Sequence, residues 1–226
     1  MLLSGGMRNR LRENLKQAGY TDQVSLRQAA TGIGRMAIET AGLWRTPDAV
    51  VLERVKIVEG WDAVLTAKDQ GQGVLFLTPH MGTFEIASLF IGSQMPLTVM
   101  FRAPRVAWAE PMMRAGRARL QIRAEPAEKS GIRAMLKALR RGEAIGLLPD
   151  QVPDPGRGGE GAWAAFFGRP AYTITLVQKF AKTTKALVVM VACVRLPHAQ
   201  GYRLVFTSLA PFSDRKSTRL NSSPSS

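Results

Sequence analysis

The spacing of apolar and polar positions along the chain predicts helices and strands in alternation. Residues 25–44 place apolar side chains three and four positions apart, as one face of an amphipathic helix requires. Residues 73–79 are instead a short apolar run bounded by Gly73 and Pro79, which predicts a buried strand. A strand therefore leads directly into the segment that begins at residue 80.

The same alternation continues to residue 207. Strands are predicted at 96–101, 120–124, 144–148, 186–194 and 202–207, and helices at 83–91, 107–115, 129–141 and 172–183. This order predicts an α/β sandwich in which a mostly parallel central sheet has helices on both faces. We expect residues 1–213 to form a single domain, with its ligands beyond the carboxyl ends of the strands.

The two ends of the chain carry weaker patterns. Residues 214–226 are polar and aperiodic and resemble translated cloning sequence, so we expect a disordered and artefactual tail. Residues 1–7 lack the apolar core of a signal peptide, and no segment approaches the ~18 consecutive apolar residues of a transmembrane helix. The expectation is either a soluble protein or one whose membrane anchor is missing from this end.

The net charge of the chain limits the classes of binding partner that are expected. The chain has 31 Lys and Arg against 17 Asp and Glu, a net charge of +14 that should attract anions. Nucleic acid, an anionic membrane surface with phosphorylated lipids and an acidic carrier protein all fit. Because aromatic residues are only 7% and are not interleaved with the basic ones as stacking platforms, a nucleic-acid-binding module is the least favoured.

The strongest candidate chemistry is the H-x4-E segment Thr78-Pro79-His80-Met81-Gly82-Thr83-Phe84-Glu85. On one helix the five-residue step would leave His80 and Glu85 roughly 140° apart. With His80 on the turn and Gly82 relaxing the backbone, Glu85 in the first helical turn could reach back to the imidazole. The carboxylate would fix the tautomer and leave the other ring nitrogen as a general base. The alternative is a loop histidine and a glutamate that merely favours a helix N-terminus.

The sequence lacks a G-x-S-x-G nucleophile elbow. Direct attack by an acceptor hydroxyl, without a covalent acyl-enzyme, is therefore the favoured mechanism.

Several blocks in a fixed order resemble the late acyltransferases of lipid A biosynthesis, the lauroyl/myristoyl family related to the glycerol-3-phosphate acyltransferases. The resemblance runs from about residue 8 to residue 212. The blocks are the H-x4-E segment, Phe101-Arg102-Ala103-Pro104-Arg105, Gly116-Arg117-Ala118-Arg119, Gly146-Leu147-Leu148-Pro149-Asp150-Gln151 and Phe166-Phe167-Gly168-Arg169-Pro170-Ala171.

This resemblance implies a glycerol-3-phosphate acyltransferase-like fold and transfer of a fatty acyl chain to a hydroxyl of a lipid A precursor. The donor would be the thioester of acyl carrier protein, with no cofactor and no metal, at the cytoplasmic face of the inner membrane. His80 would be the general base and Glu85 its partner. The substrate-binding residues would be Arg102, Arg117, Asp150, Gln151 and Arg169.

The sequence leaves open the identity of the acceptor and the role of two phenylalanines. The acceptor could instead be a glycerolipid, an ornithine lipid or a phosphatidylinositol mannoside, because the H-x4-E chemistry is shared with those relatives. Phe166 and Phe167 are expected to be packing residues or a wall of the acyl pocket. Family members also usually begin with a membrane-spanning anchor and continue past the last strand into a further helical segment.

Overall fold

The computed structural model describes residues 5–101, 110–153 and 159–211. Its centre is a seven-stranded sheet with the strand order β1-β9-β8-β2-β5-β3-β4. The strands are β1 Val55–Glu59, β2 Val74–Leu77, β3 Leu97–Phe101, β4 Ile122–Pro126, β5 Ala144–Leu147, β8 Leu187–Arg195 and β9 Tyr202–Ser208. Within this sheet β8 and β9 pair antiparallel and the other neighbours pair parallel, which confirms the mostly parallel sheet.

Helices cover both faces of the sheet, as predicted. They are α1 Gly5–Gln17, α2 Gln23–Arg45, α3 Asp48–Glu53, α4 Asp62–Asp69, α5 Phe84–Gln94, α6 Glu110–Arg117, α7 Lys129–Arg140 and α8 Leu176–Thr184. Val74 and Phe76 of β2 pack with residues of α2, α3, α4 and α5, whereas Leu75 and Leu77 pack with α7 and α8. The alternating side chains of one buried strand therefore join two hydrophobic layers.

Most predicted elements are confirmed with small shifts at their ends. The helix predicted at 25–44 is α2, which begins after the N-cap Asp22 and ends at Arg45, with Thr46 before a proline as its C-cap. The strand predicted at 120–124 begins only at Ile122. Part of the helix predicted at 107–115 and the whole tail predicted at 214–226 lie outside the described residues.

The helix predicted at 172–183 is wrong in its first turn. Residues Arg169–Ile174 form β7, which pairs antiparallel with β6 Gly161–Phe166 in a separate two-stranded sheet, and α8 starts only at Leu176. Trp163 and Tyr172 face each other across this hairpin with ring centroids 5.4 Å apart. This cross-strand aromatic pair favours the strand over the helix at Tyr172.

Two further observations concern the single cysteine and the length of the helices. Cys193 is buried, and this burial raises the pKa of its thiol to about 12, as befits a core cysteine. None of the helices in the described part of the chain combines the length and the apolar character needed to cross a membrane.

A core substitution in β2 tests how the two layers depend on this strand. Leu75 is fully buried between α7 and α8, so Leu75→Ala should lower the free energy of unfolding by about 2–5 kcal/mol. Urea denaturation monitored by circular dichroism measures this change. Leu65→Ala, at a site in α4 that is 42% exposed, is the matched control, and equal losses in the two variants would contradict the packing described.

Candidate active site

His80 lies on the turn between β2 and α5, where the strand-turn-helix interpretation put it. Gly82 shapes this turn with a φ of +64°, a conformation that suits glycine. A Cβ atom at Gly82 would stand 2.4 Å from the carbonyl oxygen of Cys193 in β8. The chain therefore passes close against β8 and then enters α5 with Phe84 and Glu85 in its first turn.

Asp150 is the carboxylate partner of His80, and the sheet brings them together. The strands β2 and β5 run parallel with Leu77 opposite Leu147, and His80 and Asp150 each follow three residues later. The Nδ1 atom of His80 lies 2.7 Å from Oδ1 of Asp150, and the backbone N–H of His80 donates to Oδ2 over 2.8 Å. One carboxylate thus holds both the ring and the backbone of His80.

This contact fixes the chemistry of the imidazole. Because an ionised carboxylate can only accept a hydrogen bond, this contact assigns a proton to Nδ1, and in the neutral imidazole the lone pair is then on Nε2. The amide nitrogen of Gln151 lies 3.5 Å from Nε2, at the outer limit of a hydrogen bond. The His80 side chain is 37% exposed, which leaves Nε2 open to a proton donor from solution.

The electrostatics of Asp150 agree with this arrangement. Partial burial by itself would raise the pKa of this carboxyl group, but the hydrogen bonds from the side chain and the backbone of His80, together with its charge, outweigh that effect. The pKa of Asp150 therefore lies below its ordinary value of 3.8.

The expected contact between Glu85 and His80 is wrong, because Glu85 pairs with Arg117 instead. Oε1 of Glu85 accepts hydrogen bonds from Nε and Nη2 of Arg117 over 2.9 and 2.6 Å. The Glu85 side chain is only 8% exposed, and a carboxylate this buried needs a compensating cation. Arg117, the last residue of α6, supplies it, while Asp150 occupies the position at the imidazole that was expected of Glu85.

The position of Arg117 is set by close packing between α6 and α2. Its guanidinium stands 5.8 Å from the ring centroid of Trp44, within cation–π range. A Cβ at the neighbouring Gly116 would come within 2.4 Å of the same ring, so glycine lets the two helices approach. The pair Gly116-Arg117 thus combines a small residue for packing with a cation directed to Glu85.

A second ion pair supports the turn and was not predicted from the sequence. Glu39 of α2 accepts hydrogen bonds from Arg195 at the end of β8 and, over 2.7 Å, from the hydroxyl of Thr83. Nη2 of Arg195 also donates to the carbonyl of Gly82 over 3.3 Å. Burial would raise the pKa of Glu39, but hydrogen bonds from Arg195 and Thr83 outweigh it and lower that pKa. Glu39, Arg195 and Thr83 lie far apart in the sequence, so no motif spacing could have predicted their contact.

The other predicted residues are spread more widely. Gln151 lies at the imidazole, as described above, whereas Arg169 begins β7 in the exposed hairpin and has no hydrogen bond or ion pair to the other site residues within the described ranges. Arg102 falls outside the described residues. Phe166 and Phe167 are 61% and 58% exposed, so they do not pack in the core, and a role as a wall of the acyl pocket stays a prediction.

The described side chains do not form a metal centre. Within residues 5–101, 110–153 and 159–211 there is no group of three or more His, Cys, Asp or Glu side chains that could hold a metal ion.

Comparison with known proteins confirms the family resemblance. The family model of the bacterial lipid A biosynthesis acyltransferases matches residues 7–220. The lipid A biosynthesis palmitoleoyltransferase of Escherichia coli (strain K12) is 28% identical over 176 residues, covering 77% of this chain and 56% of that protein. For the lauroyltransferase of the same organism these values are 24%, 76% and 55%.

A third relative extends the comparison to another genus. A lipid A biosynthesis acyltransferase of Haemophilus influenzae is 27% identical over 164 residues, covering 72% of this chain and 48% of that protein. The chain therefore spans about half the length of the curated relatives it matches.

The lowered pKa of Asp150 predicts a pH-dependent contribution to stability. A carboxyl group whose pKa is lower in the folded state stabilises the fold above its ordinary pKa, and this contribution is lost as the pH falls through the folded-state value. The difference in unfolding free energy between the wild type and Asp150→Asn should therefore be larger at about pH 5 than at about pH 3 and should shrink as the pH falls below about 4. Urea titrations between pH 2 and 7 measure it.

A His80→Ala background supplies the control for this measurement. It removes the ring that lowers the Asp150 pKa, so the pH-dependent part of the Asp150→Asn effect should become smaller. An unchanged pH dependence in that background would show that His80 is not the cause of the shift.

Proposed function

We propose that this chain, which belongs to the family of bacterial lipid A biosynthesis acyltransferases, transfers a fatty acyl chain from acyl carrier protein to a hydroxyl of a lipid A precursor. The observation that carries the proposal is the contact between His80 and Asp150, which leaves Nε2 of the imidazole open beyond the carboxyl ends of β2 and β5. An oriented imidazole with one free nitrogen can act as a general base that removes a proton from a hydroxyl.

In the proposed reaction the acceptor oxygen attacks the thioester carbonyl while Nε2 of His80 takes its proton. Asp150 stabilises the imidazolium that forms, as the carboxylate of a catalytic triad does. Collapse of the tetrahedral intermediate breaks the C–S bond, and the imidazolium returns its proton to the departing thiolate. The products are an ester and the free thiol of the carrier, and no side chain is acylated in the process.

Glu85 and Arg117 have a supporting role in this proposal. Their ion pair fixes the guanidinium beside the start of α5, and Nη1 of Arg117 has no hydrogen-bond partner among the described residues. A guanidinium held in this way is suited to a phosphate or to the developing oxyanion of the thioester carbonyl. Glu85 would then contribute to catalysis through Arg117.

Charge and exposed aromatic residues support the remaining partners. Acyl carrier proteins are acidic, and a chain of net charge +14 would attract them as well as an anionic bilayer. The β6–β7 hairpin exposes Trp163, Phe166 and Phe167 beside Arg169, a combination of aromatic side chains and a cation that suits a membrane surface. We therefore propose that the enzyme works at the cytoplasmic face of the inner membrane.

Removing the proposed base tests the mechanism. His80→Ala should lower kcat about 10²–10⁴-fold, because a positioned general base contributes that much, and Asp150→Asn should lower kcat by a similar or smaller factor. Mass spectrometry of the acylated lipid A precursor measures the rates. Circular dichroism checks that each variant is folded.

The second histidine of the chain provides the matched control. His198 lies in an exposed turn before β9, so His198→Ala should keep the wild-type rate. A folded His80→Ala protein with a near-normal rate, or an equal loss in His198→Ala, would overturn the proposed role of His80.

The donor is tested by offering the same acyl chain on two carriers. We expect transfer from acyl carrier protein with a kcat/KM that falls as NaCl is raised, because surface charges are screened over a Debye length of about 8 Å at physiological ionic strength. Acyl-coenzyme A should be a poor donor with a weaker salt dependence. Equal kcat/KM values for the two donors would contradict the proposal that acyl carrier protein is recognised.

A further inference from the structure

An arginine-lined groove runs along α2 next to the turn that carries His80. It is an open surface groove with a volume of about 390 Å³. Its lining includes Arg27, Gln28, Thr31, Gly32, Arg35 and Arg195. We refer to these six residues as the α2 groove.

The α2 groove concentrates positive charge without matching acids. No acidic residue lines it, and Glu39, one helical turn beyond Arg35, is the acid that pairs with Arg195. In the described part of the chain neither Arg27 nor Arg35 has a hydrogen bond or an ion pair within 4 Å, although the charge of Arg35 helps to lower the pKa of Glu39. Three guanidinium groups and one carboxylate leave an excess of two positive charges, which matches a phosphate monoester in its dianionic form.

The helix arranges these groups in one row. Arg27, Thr31 and Arg35 follow each other at four-residue steps and so share a face of α2. The two arginines are about 12 Å apart along the helix axis, with the uncharged donors Gln28 and Thr31 between them. At Gly32 no atom lies within 4 Å of where a Cβ would stand, so the missing side chain leaves open space.

The groove is connected to the turn that carries His80 through Arg195. Glu39 continues the row and accepts the hydroxyl hydrogen bond of Thr83, three residues after His80. Arg195 lines the groove and at the same time donates to the carbonyl of Gly82. A phosphate between Arg35 and Arg195 would therefore lie on the order of 10 Å from the turn, close enough for the same lipid molecule to present a hydroxyl to His80.

We infer that the α2 groove binds the phosphate group of the acceptor lipid. This inference rests on the proposed function for the identity of the acceptor, but the groove itself is defined by its own charges and shape. Guanidinium groups bind phosphate through charge-assisted and often bidentate hydrogen bonds, and Thr31 and Gln28 add neutral donors. The phosphate anchors the acceptor at one end while the hydroxyl reacts at the other.

Two variants of the full chain test the site by different means. Arg27→Gln/Arg35→Gln removes the unpaired charges, whereas Gly32→Leu fills the groove, keeps every charge and suits a helix better than glycine does. Arg8→Gln/Arg10→Gln, at exposed positions of α1, is the control with the same change in net charge. Circular dichroism confirms that each protein is folded.

Binding is measured without turnover, in neutral detergent micelles that contain the lipid A precursor with or without its phosphate groups. Both groove variants should bind the phosphorylated precursor about 10-fold more weakly or worse, because charge-assisted hydrogen bonds to phosphate are among the strong ones. Binding of the dephosphorylated precursor should be unchanged by either groove variant. The α1 control should stay within about twofold of the wild type for both lipids.

Three outcomes would overturn the inference, and a fourth would separate it from the proposed function. An equal loss in the α1 control would reveal general electrostatic attraction, and a loss confined to acyl carrier protein would assign the groove to the donor. Inorganic phosphate that binds the wild type but not the groove variants, with precursor binding unaffected, would assign the groove to a free anion. A wild type that binds the phosphorylated precursor through the groove but transfers no acyl group would refute the proposed function and leave this site standing.

Discussion

The parallel pairing of β2 with β5 is the interaction on which the candidate site depends. All four residues of β2 are buried, so a shift of one position would turn its apolar side chains to the wrong layers. The hydrophobic layers therefore fix the pairing of Leu77 with Leu147, and the hydrogen bond from the backbone of Thr78 to Leu147 extends it by one step. This register places His80 and Asp150 side by side although 70 residues separate them in the chain.

The turn that follows β2 is then held by charges from three other elements. Glu85 is neutralised by Arg117 of α6, while Glu39 of α2 and Arg195 of β8 hold Thr83 and the carbonyl of Gly82. Such partly buried pairs cost desolvation and add little net stability, but two hydrogen bonds from one guanidinium restrict the orientation of each carboxylate. Their contribution is orientation, because they limit how the backbone between His80 and Glu85 can move.

The features of the fold and of the candidate site that can be predicted from the sequence are those set by residues close together in the chain. The turn at His80 could be predicted, since the pattern of β2, Gly82 and the start of α5 are all within a dozen residues. The partner of the imidazole could not, because Glu85 was close in sequence while Asp150 became adjacent only through the strand order. The beginning of α8 was misplaced because Tyr172 and Ile174 suit either period until the cross-strand pairing with β6 is known. Similarly, α1 has no buried residue and so no apolar face to recognise.

The distribution of the cations separates those that build the fold from those available to ligands. Many arginines of the described chain face an acid, among them Arg114, Arg117, Arg119, Arg141, Arg195 and Arg203. The reaction proposed above, which has no acyl-enzyme, would require donor and acceptor in the site together, so each would need a binding surface of its own around Nε2 of His80. Arg27 and Arg35 have no ion pair of this kind within 4 Å and line a groove together with Arg195, which donates to the carbonyl of Gly82. Among the paired arginines Arg117 and Arg195 therefore hold the turn, whereas Arg27 and Arg35 on α2 would supply the charge for the proposed anionic acceptor.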